Sequence, residues 1–161
     1  MLFELGQGDW NQILFNLERL VIAYFLALPI GWNREKSKRS FGMRTFPLVA
    51  TVTCGYMLTG ISVIDSTRGE ARIIQGIITG IGFIGGGAIF KRKSTVSGTA
   101  SAVSIWNAGA IGVAVAFSRY EIAVLLTVLN FLTLAFVKDL KDVAENGFSD
   151  ENSDEDQSVE Q

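Results

Sequence analysis

TASAVSIWNAGAIGVAVAF, residues 99–117, decides the fold. The stretch contains no charged residue, and its apolar side chains fall on every side of a helix. A hydrocarbon core of about 30 Å takes roughly 20 such residues as an α-helix. A buried helix of a soluble bundle is the competing reading, but the run is not alone. Working outward from it, residues 73–90, 46–64 and 122–137 form further uncharged runs. Residues 13–30 form a fifth, interrupted by Glu18 and Arg19. The expected fold is therefore all-α, a polytopic transmembrane helical bundle of about five short helices. The lipid bilayer is its solvent and first partner.

Charge orients the bundle. Lys and Arg concentrate in cytoplasmic loops. The first loop carries Arg34, Lys36, Lys38, Arg39 and Arg44, and the third carries Lys91, Arg92 and Lys93. The second has Arg68 and Arg72, and the fourth has Arg119. An N-out/C-in arrangement puts the richer loops inside. Trp10 and Trp32 bracket the first helix, as interfacial aromatics do.

The formal net charge of -2 hides a segregation. Residues 1–137 hold 12 basic and 7 acidic residues, whereas residues 138–161 hold 2 and 9. The expected division is a membrane domain, 1–145, followed by an acidic, disordered tail, 146–161. Such a tail reads first as a solvated terminus. It lacks the ligand spacing of an EF-hand loop.

Chemistry is bounded by what is missing. With no His and the single Cys54, zinc constellations and a His-based triad are excluded. There is no P-loop and no dinucleotide fingerprint. No enzyme, cofactor or resident metal is expected, and nothing calls for nucleic acid.

Two stripes of small residues suggest helix packing. Gly76 and Gly80 form one GxxxG pair, and Gly82 and Gly86 form a second. Gly76, Gly80 and Gly87 fall on one side. In the fourth run Ala100, Ser104, Ala108, Gly112 and Ala116 recur every four residues. Lipid tails give helices no hydrophobic reason to pair, so close backbone approach at small residues takes over. A homo-oligomer, most simply a dimer, is expected to use one of these stripes. A sharper reading breaks the third helix at Gly85-Gly86-Gly87 to line a binding cavity.

Polar groups within or beside the spans are the functional candidates. Glu18 and Arg19 cost free energy in hydrocarbon unless they snorkel or pair. Gln75, Thr79, Asn107 and Asn130 need hydrogen-bond partners, most simply on neighbouring helices. Arg34, Glu35, Arg44 and Arg72 flank the membrane boundary. Intramembrane Glu18, Gln75, Thr79 and Asn107 also support an alternative, a small oligomeric ion or solute transporter or channel.

Three segments resemble the MgtC/SapB family of bacterial inner-membrane proteins. Arg34-Glu35 followed by Gly42-Met43-Arg44-Thr45 is similar to its Glu-Arg-Glu and Gly-Leu-Arg-Thr elements. Residues 79–89, TGIGFIGGGAI, are similar to its glycine run, and residues 96–106, VSGTASAVSIW, to its Val-x-Gly-Leu-Thr-Thr-Ala-Ala-Ser-Leu-Trp run. Asn33 stands where the family usually has Glu. Gly69-Glu70-Ala71-Arg72 replaces its acidic-Pro-x-Arg element. The chain is similar to the shorter SapB-like members, which lack the ACT-like C-terminal domain. The resemblance implies a regulator at the bacterial inner membrane, linked to magnesium homeostasis or adaptation through contacts with other membrane proteins. The ATP synthase is one partner it implies.

Overall fold

A computed structural model describes residues 7–36, 42–92 and 95–136. Five helices appear: α1 (Gln7–Lys36), α2 (Thr45–Val63), α3 (Thr67–Gly87), α4 (Thr99–Ala116) and α5 (Tyr120–Phe136). Strands β1 (Phe90–Arg92) and β2 (Thr95–Ser97) pair antiparallel between α3 and α4. The all-α bundle expected from the sequence is present. α1, α2 and α4 contain stretches long and apolar enough to cross a membrane. The expected tail, 146–161, lies outside the described residues.

Every sequential pair of helices runs antiparallel. Leu20 of α1 lies against Gly55 of α2, while Gly31 lies against Met43 at the other end. Gly60 meets Ile73, Gly109 meets Ile81, and Gly85 meets Ala102. α5 returns beside α4 and runs parallel to α1. Its Thr127 hydroxyl reaches the Leu26 carbonyl oxygen at 3.1 Å. One end of the bundle thus gathers the α1 C-terminus, the α2 N-terminus, the β-hairpin and the α5 C-terminus. We call it the hairpin end.

α4 is the central element. Eleven of its residues are buried, including Ser104, Ala108, Gly112 and Ala116. The small stripe lets neighbours approach closely. A Cβ on Gly112 would collide with the Ala50 carbonyl oxygen and Thr53 Oγ1 of α2. Ala100, first in the stripe, is exposed. α1 buries a narrower stripe, Ala23, Ala27, Ile30 and Arg34. That is the spacing of one helical face.

α3 is peripheral. It buries Ile77, Ile81 and Gly85 at intervals of one turn, and the face opposite is open. Its limits differ from the sequence expectation of 73–90. Ser66 starts the helix by accepting a hydrogen bond from the Gly69 N–H at 3.2 Å, and Glu70 occupies the first turn. Both favour a helix N-terminus. Arg68 and Arg72, expected in a loop, therefore stand on α3. The triple glycine does not interrupt the helix within the span. It closes the helix at Gly87, and Ala88 turns the chain into β1.

Candidate functional site

The sequence candidates do not converge on one cleft. They occupy four places. At the hairpin end, α1 presses on the start of α2. Gly31 permits this, because a Cβ there would sit 3.0 Å from the Met43 Cα. One turn later the Glu35 carboxylate accepts a hydrogen bond from the Met43 N–H at 3.2 Å. A Cβ on Gly42 would fall on that carboxylate. The Thr45 N–H then donates to the Gly42 carbonyl oxygen at 3.1 Å and opens α2. Glu35 therefore acts as an anchor for the turn that begins the second helix. Arg34 is 7% exposed and extends the buried stripe of α1, whereas Arg44 points to the surface. The two sequence segments, 34–35 and 42–45, form one corner.

The second place is the opposite end. Glu18 is exposed. Arg19 instead donates from Nη1 to the Ala116 carbonyl oxygen at 2.8 Å and from Nη2 to Ser118 Oγ at 2.5 Å. Its guanidinium lies 3.8 Å from the Phe15 ring centroid. A cation at the last carbonyls of a helix satisfies orphan acceptors and opposes the macrodipole. Arg19 is thus a cross-helix cap for α4, which the sequence disguised as an intramembrane charge.

The third place is the seam of α4 and α5. Asn107 Nδ2 donates to the Leu126 carbonyl oxygen at 3.2 Å, and Ser104 Oγ lies 3.2 Å from Asn130 Oδ1. Thr53, not singled out by its sequence, ties α2 to α4 through the Gly109 carbonyl oxygen at 3.2 Å.

The fourth place is the open face of α3. Arg72, Gln75 and Thr79 are exposed there, and the Thr79 hydroxyl returns to the Gln75 carbonyl oxygen at 2.9 Å. Among the described residues, a Cβ added at Gly76, Gly80, Gly82, Gly86 or Gly87 would meet nothing within 4 Å. Only Gly85, of this run, contacts the bundle, at Ala102. Apolar grooves flank α3 on both sides. One, of about 820 Å³, lies against α2 and is lined by Tyr56, Val52, Gly76 and Gly80. The other, of about 870 Å³, has α4 as its floor and is lined by Ile78, Trp106 and Leu126.

The sequence model of a known family, the MgtC family, matches residues 20–143. The chain belongs to the MgtC family. Among similar proteins, SrpB of Synechococcus elongatus is 32% identical over 87% of this chain and 82% of its own length. Protein MgtC of Brucella abortus is 29% identical over 84% of this chain, and an Escherichia coli K12 protein named putative magnesium transporter YhiD is 28% identical over 72%. This chain spans 57% of the length of each of the latter two. No solved structure matches it.

Proposed function

We propose that the protein is a regulator in the bacterial cytoplasmic membrane, linked to magnesium homeostasis, that works by lateral helix contact with another membrane chain. The observation that carries this reading is the open glycine face of α3. A Cβ added at any of five α3 glycines, Gly76 and Gly80 beside the α2 groove and Gly82, Gly86 and Gly87, would meet no described residue within 4 Å, although glycine lowers helix propensity. Close approach by a second helix would give them a use. A second copy of this chain is the simplest partner, and the ATP synthase is the alternative implied by the family. The magnesium link rests on family membership and on the name of the E. coli relative.

The interior supports contact over conduction. Ser104, Asn107, Thr53 and Thr127 direct their polar groups to neighbouring helices. Both grooves are lined mostly by apolar side chains, with Thr53 in the wall of one and Asn107 in the wall of the other.

The test places a photo-crosslinking residue at Thr79, with Ala108 as a buried control, in native membranes. Adducts at 79 with a second copy or an ATP synthase subunit, absent at 108, are expected. Adducts with lipid alone would remove the contact reading. Magnesium flux into vesicles carrying the purified protein, above empty vesicles, would favour the transporter alternative.

A further inference from the structure

At the end opposite the hairpin, α1 outlasts the helices that pack beside Arg19. This residue reaches Ala116 and Ser118, so the α4–α5 turn lies at its level. The contact of Thr127 with Leu26 gives the same level independently. Counting seven residues back along these two parallel helices brings Tyr120, the first residue of α5, beside Arg19. α1 itself starts at Gln7. At the helical rise of 1.5 Å per residue, Trp10 stands about 13 Å past the turn.

The two faces of this outer part of α1 differ. Trp10, Leu14, Leu17, Val21, Phe25 and Trp32 are exposed along one line at helical spacing. The line is about 33 Å long, close to the roughly 30 Å of a hydrocarbon core, and an aromatic marks each end as interfaces favour. The other face buries Ala23 and Ala27 inside the bundle, and past Ala23 it becomes Arg19, Asn16 and Gln12. Polarity on that face begins where α4 and α5 stop. The α5 side is short by the same measure. Its uncharged run, 122–137, is about 24 Å long and is bounded by Glu121 and Lys138. Arg119 and Glu121 form an exposed ion pair at its start. Charges of this kind are costly in hydrocarbon and belong in water or among head groups.

We infer that the protein holds the bilayer at two heights. Acyl chains cover the exposed face of α1 as far as Trp10, while on the α4–α5 side water and lipid head groups descend to Arg19 and the Arg119–Glu121 pair. The partner of this shoulder is the bilayer itself, thinned on one side. A bilayer meets a short apolar span by thinning and a full-length one without it, and this chain presents both.

The test uses the full chain in nanodiscs of dioleoyl phosphatidylcholine, with a spin label at Tyr120→Cys or at Leu14→Cys. Both positions are exposed, whereas Cys54 is fully buried and leaves the introduced thiol as the reactive one. Leu14 lies farther from the hairpin end than Tyr120, so a flat bilayer would make Leu14 the wetter site. The step reverses that order. Relaxation by a water-soluble nickel chelate should exceed relaxation by oxygen at Tyr120, and oxygen should dominate at Leu14, with ratios that differ severalfold. Glu121→Cys and Leu17→Cys serve where a first variant fails to fold, as judged by helical circular dichroism. Oxygen-dominated relaxation at Tyr120 would overturn the proposal, because acyl chains would then cover the turn. So would nickel-dominated relaxation at Leu14, because α1 would then project into water above a flat bilayer.

Discussion

Residue by residue, the glycines separate into two populations that the sequence could not tell apart. Gly112 is packed against the α2 backbone, whereas Gly80 borders the open groove beside α2, where an added Cβ would meet no described residue within 4 Å. Gly112→Ala should therefore destabilise the fold by about 1–3 kcal/mol, the usual cost of overpacking. Gly80→Ala should leave the single chain no less stable, and up to about 1 kcal/mol more stable, because Ala has the higher helix propensity. Unfolding by denaturing detergent, followed by circular dichroism, compares them; equal curves for Gly112→Ala and wild type would contradict the α2–α4 contact. Arg19 carries a second prediction. Arg19→Met should cost about 1.5–3 kcal/mol, the range for hydrogen bonds to charged groups. Arg19→Lys should recover part of that loss, since an ammonium cannot reproduce the two-pronged contact with Ala116 and Ser118. The same unfolding assay reads both. A charge beside an apolar run advertised Arg19 in the sequence, but not its purpose. The carbonyl that it caps is 97 residues away.

At the level of elements, the long uncharged runs were legible because a period-free apolar stretch has few alternatives at this length. The run at 99–117 became α4, Thr99–Ala116, and that at 46–64 became α2, Thr45–Val63. The start of α3 was hidden by Arg68, Glu70 and Arg72, whose charge resembles a loop. The Ser66 cap was the available signal. The hairpin was invisible because strands of three residues are too short to show alternation. Its root, however, leaves a trace in Gly98. This residue has φ of 89°, and a Cβ there would strike the Ala88 carbonyl oxygen. Gly98→Ala should cost about 1–3 kcal/mol through backbone strain alone, with the clash in addition. Proteolysis in the 90–97 segment offers a local readout. Faster cleavage in the variant is expected, and unchanged cleavage would count against a tight root.

For the whole molecule, the bundle gives the topology a physical form, because the hairpin end collects the first and third loops together with the end of α5. Reporter fusions after Ile64 and after Phe117 should score outside, and fusions after Lys38, Lys93 and Lys141 inside. An outside signal at Lys93 would break the N-out/C-in arrangement. What remained illegible at this scale was which helix would be central and which marginal. α3 and α4 both carry small residues, and chain order does not say which is enclosed. α3 leans on its neighbours along one stripe, Ile73, Ile77, Ile81 and Gly85, and its short hairpin joins it to the enclosed α4. An element held along one line opens at lower free energy than the body it leans on. Under hydrogen–deuterium exchange, the amides of residues 75–87 should thus take up deuterium well before those of residues 104–115. The bundle would then breathe as a door on a hinge, with four helices forming the frame and α3 the leaf.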